Sequence, residues 1–109
     1  MELKKVLAGI EGLKARGNID INIKNIESDS RKVTKDTLFI AIKGFTTDGH
    51  EYIYKAIENG ANSIMVEEGF DLKKLDVPKE ITIIVAKDTR LALAIIACNF
   101  YGNPSKKFK

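Results

Sequence analysis

Hydroxyl-bearing residues follow two apolar stretches of this chain, and their chemistry is that of binding. Ser28 and Ser30 follow the first stretch, and Thr46 and Thr47 follow the second. Their hydroxyls donate and accept hydrogen bonds, and Phe45 offers an apolar face to a flat ring. Loops that flank one strand of an α/β sheet can meet at one edge, where concave sites are commonly built. The pattern predicts a site for a small polar ligand with a planar end.

Catalysis is not indicated by the residues around these loops. His50 is the one histidine of the chain, and a Ser-His-Asp arrangement through Ser30 lacks the Gly-x-Ser-x-Gly elbow. One histidine and one cysteine do not supply a usual zinc site. Neither glycine-rich phosphate motif, Gly-x-x-x-x-Gly-Lys-Ser/Thr or Gly-x-Gly-x-x-Gly, occurs. We therefore expect no catalytic residue and no metal site, and we expect His50 to pack at a helix start or lie at the surface.

The composition is typical of one soluble globular domain. The chain has 109 residues, 44% of them hydrophobic and 30% charged, with a net charge of +3, and this length suits a single domain. Part of the positive excess lies in the terminal lysines, and no Arg-rich stripe or interleaved aromatic platform favours a nucleic-acid partner. The first apolar run is too short and too charged for a signal peptide or membrane span. We expect a cytoplasmic protein without a membrane partner.

Apolar spacing predicts the elements that position the two loops. Three- and four-residue spacing indicates helices, alternation indicates a half-buried strand, and continuous apolar runs indicate strands covered on both faces. In chain order these are a helix over 2–14, a strand from 19 to about 26, a strand over 38–42, a helix from Asp48 to 59, strands over 63–66 and 81–86, and a helix from 88 or 89 to 101. Cys98 falls on the apolar pattern of the last helix and is expected in the core. The order α-β-β-α-β-β-α predicts an α/β fold, a single small layered domain with a mixed or mostly parallel sheet.

Several segments, taken together and in order, carry a resemblance to a known family. They are Asp29-Ser30-Arg31-Lys32-Val33, Leu38-Phe39-Ile40-Ala41-Ile42-Lys43-Gly44, Asp48-Gly49-His50 with Tyr52-Ile53, Ala56-Ile57-Glu58-Asn59-Gly60-Ala61, Asp88-Thr89-Arg90-Leu91-Ala92-Leu93-Ala94 and Phe100-Tyr101-Gly102-Asn103-Pro104-Ser105. From about residue 19 to the last residue, the chain resembles the N-terminal domain of the Mur ligases. It is most similar to the members that add the third amino acid, diaminopimelate or lysine, to UDP-N-acetylmuramoyl-L-alanyl-D-glutamate in peptidoglycan synthesis.

The resemblance implies roles for residues in both loops. In this family the N-terminal domain holds the UDP end of the substrate, and the serine of the Asp-Ser-Arg motif, here Ser30, contacts the uracil region. Ser28, two residues earlier, lines the same site. The loop after the second strand contacts the UDP part, which corresponds here to Phe45, Thr46 and Thr47. The structural residues that support the two loops are expected to be Asp29, Arg31, Asp48 and Gly49.

The resemblance also implies what lies beyond this chain. Residues 1–105 would be the UDP-substrate-binding domain, and 106–109 would begin a linker to a central domain that binds ATP and magnesium. That domain and a C-terminal domain would be its partners, together with the UDP-N-acetylmuramoyl-peptide substrate. This chain would need no cofactor of its own and would be inactive alone. The alternatives are the N-terminal domain of the D-alanyl-D-alanine-adding Mur ligase, which the ending at 100–105 disfavours, and a free-standing interaction domain.

Overall fold

Five strands in the described residues form one mixed sheet. The computed structural model describes residues 1–42 and 49–102. The strands are β1 (Lys14–Arg16), β2 (Asn25–Glu27), β3 (Thr37–Ile40), β4 (Ala61–Glu67) and β5 (Thr82–Ala86), and the helices are α1 (Leu3–Val6), α2 (Ile53–Glu58) and α3 (Thr89–Tyr101). The strand order is β1-β5-β4-β3-β2. Strands β2 to β5 run parallel, and β1 pairs antiparallel with β5. The predicted α/β fold with a mostly parallel mixed sheet is confirmed.

Hydrophobic side chains cover both faces of the sheet. Alternation along β3 sends Leu38 and Ile40 into the layer that contains α1 and α3, and Phe39 into the layer that contains α2. All four residues of β3 are buried, as expected for a parallel strand covered on both sides. The two layers pack on both faces of the sheet and hold its strand ends in place.

The predicted helix over 2–14 is wrong beyond its first turn. Helix α1 ends at Val6, and Lys14–Arg16 instead forms β1 at the edge of the sheet. Gly9 and Gly12 disfavour continuation of the helix, and the free backbone groups of β5 offer a pairing partner. The observed order therefore contains one strand more than the predicted order α-β-β-α-β-β-α.

The predicted strand from 19 to about 26 is also wrong over most of its length. Only Asn25–Glu27 joins the sheet, as β2. The preceding residues run beside the start of the chain, where the Leu3 N–H donates to the Ile21 carbonyl at 2.8 Å and the Ile23 N–H donates to the Met1 carbonyl at 2.8 Å. The alternating isoleucines thus satisfy their backbone groups against the chain terminus and not in a sheet ladder.

The remaining elements follow the predictions closely except at the start of the second predicted helix, where Gly49–Tyr52 forms a 3₁₀ helix and α2 begins only at Ile53. Helix α2 ends at Glu58, before Asn59 and Gly60, and β4 and β5 cover the predicted strands with shifts of one or two residues at their ends. Asp88 caps α3, because its carboxylate accepts from the Arg90 and Leu91 amides. The predicted cap at Asp48, the exit turn at 103–105 and the linker at 106–109 lie outside the described residues.

Cys98 is exposed, so its predicted burial is wrong. The buried face of α3 carries Thr89, Ala92 and Ile96, and a position two residues after Ile96 lies about 200° around the helix. The apolar pattern of this helix was broad enough to place Cys98 on either face.

None of the helices in the described part of the chain is long and apolar enough to span a membrane.

Candidate functional site

The residues after β2 and β3 meet at the carboxyl edge of the sheet. The two strands are parallel neighbours, with Glu27 opposite Phe39, so their exits lie side by side. Between them is a cleft of about 400 Å³, which we call the Ser30 cleft. The described residues that line it are Ser28, Asp29, Ser30, Arg31, Ile42, Gly49 and Tyr52. Of the two polar loops predicted to meet at one sheet edge, residues 28–31 and Gly49 line this cleft, and residues 43–48 lie outside the described residues.

One wall of the cleft is the Asp29 turn, formed by Asp29 and the 3₁₀ helix Ser30–Lys32. The Asp29 carboxylate accepts from the Arg31 backbone amide at 3.0 Å, and it also accepts from the Arg31 guanidinium at 3.0 and 2.9 Å. Upstream, the Glu27 carboxylate accepts from the Ser28 and Asp29 amides, each at 3.1 Å. Acidic side chains therefore hold the backbone of this turn on both sides, as expected for Asx-type local bonds.

A long-range hydrogen bond fixes the position of Ser30. The Asn59 side-chain amide, just after α2, donates to the Ser30 carbonyl at 2.8 Å. Ser30 is only 6% exposed, although it lines the cleft. The Ser30 hydroxyl has no hydrogen-bond partner among the described residues, so this group is available to a ligand in the cleft. Asn59 thus orients Ser30, the residue that the family resemblance predicts to contact the uracil region.

The opposite wall is the 3₁₀ helix Gly49–Tyr52, which we call the His50 turn. The Gly49 amide donates to the Ile42 carbonyl at 2.8 Å, so the described residues on either side of 43–48 are joined directly. Ile42 and Tyr52 give this wall an apolar and aromatic surface, and Tyr52 is 42% exposed. The described lining therefore has serine hydroxyls and the Asp29–Arg31 pair on one side and the side chains of Ile42 and Tyr52 on the other.

Five of the predicted site residues lie around this one cleft: Ser28, Asp29, Ser30, Arg31 and Gly49. Phe45, Thr46, Thr47 and Asp48 lie outside the described residues. Sequence reasoning missed Ile42 and Tyr52 as lining residues. Ile42 read as the end of a buried strand, and Tyr52 read as part of the buried face of the following helix. Their sequence signal was only their position beside the polar loop.

The Asp29–Arg31 pair sets the electrostatics of the first wall. The Arg31 side chain donates hydrogen bonds to the Asp29 carboxylate, and with the Arg31 backbone amide this lowers the pKa of Asp29 from 3.8 to about 2. The same pairing raises the pKa of Arg31. Both groups are therefore charged at neutral pH, and the bidentate geometry fixes their relative orientation.

Acidification is expected to release the Asp29 turn between about pH 4 and about pH 2. Because the folded-state pKa of Asp29 is depressed to about 2, its stabilising effect is complete above the unfolded-state pKa. That effect is lost as the pH falls through the folded-state pKa. The Arg31 backbone amide and Nε–H resonances, followed by NMR during acid titration, should move in this window. In Asp29→Asn, which keeps an acceptor but does not titrate, they should not; equal movement in both proteins would contradict the assignment.

Metal chemistry has no support in the described residues, where no group of three or more His, Cys, Asp or Glu side chains is placed to hold an ion. His50 instead packs against the protein. Its Nε2 accepts from the Glu67 amide at 3.0 Å, and its ring stacks on Phe70 with centroids 4.8 Å apart. The expectation of helix-start packing describes its environment.

Comparison with known proteins places the chain in a family. Residues 22–101 match the sequence profile described as "Mur ligase family, catalytic domain". The chain belongs to the Mur ligase family. The UDP-N-acetylmuramoyl-L-alanyl-D-glutamate--2,6-diaminopimelate ligase of Clostridioides difficile is 47% identical over 108 residues, which are 99% of this chain and 21% of that protein. The ligase of the same name from Clostridium tetani is 47% identical over 109 residues, which are 100% of this chain and 22% of that protein. This Mur ligase chain thus spans about a fifth of the length of the curated relatives it matches.

Solved structures show the same fold. A UDP-N-acetylmuramoylalanyl-D-glutamyl-2,6-diaminopimelate--D-alanyl-D-alanyl ligase from Acinetobacter baumannii superposes with a TM-score of 0.63 at 27% identity, over 90% of this chain and 20% of that one. A related ligase from Thermotoga maritima, solved in complex with ADP, gives a TM-score of 0.57 at 28% identity, over 73% of this chain and 17% of that one. The α/β architecture of this Mur ligase chain is that of the family's N-terminal domain.

Proposed function

We propose that the chain binds the UDP end of UDP-N-acetylmuramoyl-L-alanyl-D-glutamate, as the N-terminal domain of a ligase that adds the third amino acid in peptidoglycan synthesis. The observation that carries the proposal is the Ser30 cleft, in which Ser30 is held by Asn59 with its hydroxyl available to a ligand. Relatives at 47% identity carry this UDP-linked substrate and 2,6-diaminopimelate in their names.

The two walls of the cleft suit the edge and the face of a uracil ring. A pyrimidine ring presents amide-like donors and acceptors at its edge and flat apolar faces. The Ser30 and Ser28 hydroxyls match the edge, and Ile42 and Tyr52 offer contact to a face. The sequence-predicted ligand residues Phe45, Thr46 and Thr47 belong to the segment between Ile42 and Gly49 and remain part of the proposal.

We place the binding of ATP and magnesium outside this chain. The sequence contains no glycine-rich phosphate motif, and the described residues contain no acidic or histidine cluster for a metal. We assign their binding to the central domain of the complete ligase and the incoming amino acid to its C-terminal domain. These domains are then the chain's partners, and we propose a cytoplasmic location because ligation would consume ATP and a UDP-linked precursor.

A second candidate is the N-terminal domain of the D-alanyl-D-alanine-adding Mur ligase. The Acinetobacter baumannii structure, which covers 90% of this chain, carries that activity in its title. The sequence identities favour the first candidate, because they are 47% for the diaminopimelate ligases and 27% for this structure. Because both candidates share the UDP end that this chain would hold, the complete ligase decides between them: stronger binding there of the UDP-linked tripeptide than of the UDP-linked dipeptide would favour the second candidate.

Replacement of Ser30 by alanine is expected to weaken binding of the UDP ligand by about 0.5–1.5 kcal/mol, the usual net value of one neutral hydrogen bond. The variant removes only the hydroxyl, and the Asn59 bond to the Ser30 backbone carbonyl remains. Titration calorimetry or amide NMR with UDP-N-acetylmuramic acid measures the change.

The control is Ser63→Ala, which removes a buried hydroxyl from β4 and not from the cleft. UMP and AMP serve as ligand controls. Amide shifts at 28–31 and at Gly49 with uridine compounds, and none with AMP, support the proposal. Unchanged affinity in folded Ser30→Ala would remove this hydroxyl from the site, and a wild-type spectrum indifferent to all three ligands would contradict binding by this chain.

A further inference from the structure

We propose that His50 is a positioning residue for the Ser30 cleft: it anchors the wall formed by the His50 turn to the end of β4. The inference rests on the proposed function only in that the cleft is taken as the UDP site. His50 does not line the cleft itself, but its neighbours Gly49 and Tyr52 do. Its effect on a ligand would therefore pass through these two residues.

The anchor begins with a hydrogen bond that fixes the state of the imidazole ring. The Glu67 backbone N–H donates to His50 Nε2 at 3.0 Å. An imidazole nitrogen accepts a hydrogen bond only when it carries no proton, so this contact requires an unprotonated Nε2. A proton on Nε2 would face the Glu67 N–H, and the hydrogen bond would be lost.

The group that His50 contacts is itself firmly held. Glu67 is the last residue of β4 and pairs with Ala86 of β5. Its carboxylate accepts from the Thr89 amide at 3.3 Å, at the start of α3. The anchor point is therefore tied to the sheet and to the longest helix, and it provides a fixed reference for the cleft wall.

A ring contact with Phe70 is the second interaction that holds His50. The His50 imidazole stacks on Phe70 at 4.8 Å, with 25° between the planes. Phe70 belongs to the turn after β4, where its amide donates to the Glu67 carbonyl at 3.1 Å, and it packs on the core around α2. One hydrogen bond and one stacked face together leave the His50 turn little freedom to slide or tilt.

Loss of this anchor would lower affinity by reducing the fraction of molecules in which the cleft is formed. If the wall occupies its cleft-forming position in only a fraction of molecules, the apparent dissociation constant rises by the inverse of that fraction. Replacement of His50 by phenylalanine keeps a ring on Phe70 but leaves the Glu67 N–H without its acceptor. Replacement by glutamine loses the ring but places an amide oxygen near the position of Nε2.

The experiment compares the ¹⁵N-labelled chain and its variants with and without UMP. We expect His50→Phe to shift the Gly49 and Tyr52 amides without ligand, and to bind UMP about fivefold or more weakly, because the half-buried Glu67 N–H loses its partner and the wall loses its anchor. His50→Gln should restore most of the affinity. Long-range proton–nitrogen correlation should show the wild-type ring as the Nδ1–H tautomer.

Asn99→Ala is the matched control. The Asn99 side-chain amide donates to the Val6 and Ala8 carbonyls at 2.8 and 2.7 Å, so the variant weakens the fold without touching an element that lines the cleft. It should lower stability and leave UMP affinity unchanged. Equal affinity of His50→Phe and wild type, an equal loss in Asn99→Ala, or an Nε2–H tautomer would overturn the inference.

Failure of the proposed function gives a different result. If the wild-type chain responds neither to UMP nor to UDP-N-acetylmuramic acid, the UDP assignment fails, and the ligand-free spectra alone decide the role of His50. Shifts that reach Gly49 and Tyr52 then support the anchor, whereas shifts confined to Glu67 and Phe70 refute it.

Discussion

Replacing Gly49 by alanine is expected to disrupt the Ser30 cleft and destabilise the fold. A Cβ at this position would lie 2.6 Å from the Ile42 nitrogen, 3.0 Å from the Ile42 oxygen and 3.2 Å from the Ala41 Cα. All three neighbours are backbone atoms of the two residues that follow β3, so no side-chain rotation relieves the contact. Gly49 and the His50 turn must move away, which breaks the hydrogen bond from the Gly49 amide to the Ile42 carbonyl.

The expected cost is about 1–3 kcal/mol for the overpacking, with about 1 kcal/mol more for the lost hydrogen bond. Urea unfolding measures the free energy of unfolding, and titration with UMP measures affinity in the folded population, which should fall more than tenfold. The control for affinity is Gly9→Ala: its φ of +86° strains an alanine, but its Cβ meets nothing within 4 Å, so it should lower stability and leave UMP affinity unchanged. A Gly49→Ala protein as stable and as competent as wild type would show that the cleft wall does not depend on this close approach.

Replacing Gly60 by alanine is expected to give the largest loss of stability of the substitutions considered. Gly60 has φ +121°, and an added Cβ would lie 2.8 Å from both the Lys35 nitrogen and Cα. The Gly60 carbonyl also accepts from the Asp36 amide at 2.9 Å, so the turn after α2 lies directly against the turn before β3. The substitution combines backbone strain of about 1–3 kcal/mol with a backbone clash of similar size.

The total of about 3 kcal/mol or more should lower Tm by about 10 °C or more, as measured by calorimetry or thermal circular dichroism. Gly69→Ala separates the two causes, since φ there is +99° and nothing lies within 4 Å of the added Cβ. It should show the strain without the clash. Equal losses in the two variants would mean that contact with Lys35 contributes nothing. Because Asn59 precedes Gly60 and holds Ser30, the Gly60 variant should also weaken UMP binding.

Short-range signals in the sequence were reliable because their partners lie within a few residues. Asp88 caps α3 through the amides two and three residues later, and α2 ends at the predicted Asn59-Gly60 pair. The continuous apolar runs became β3 and β5, since strands covered on both faces need no polar side. The same local chemistry formed the Asp29 turn, in which the carboxylate bonds the amide two residues on.

Long-range pairing was not encoded in any local pattern. β1 forms by pairing with β5, where Lys14 lies opposite Val85 at the sheet edge. The residue spacing near Lys14 does not indicate this partner. The alternating isoleucines from Ile19 to Ile23 have the period of a strand, but their backbone bonds go to the first residues of the chain. Of these isoleucines only Ile23 is buried, whereas Ile19 is exposed, so the alternation reported neither the burial of every side chain nor the backbone that receives the hydrogen bonds.

The candidate site divides in the same way. The sequence alone determined the hydroxyl-bearing turn at Ser28 and Ser30, the glycine that closes the second loop, and the likeness to Mur ligases. Only the tertiary structure decided that Asn59 holds Ser30, that Ile42 and Tyr52 complete the cleft, and that His50 anchors one wall to β4. Residue types and short-range bonds are properties of local sequence, whereas a cleft is made by segments that the parallel pairing of β2, β3 and β4 brings to a common edge.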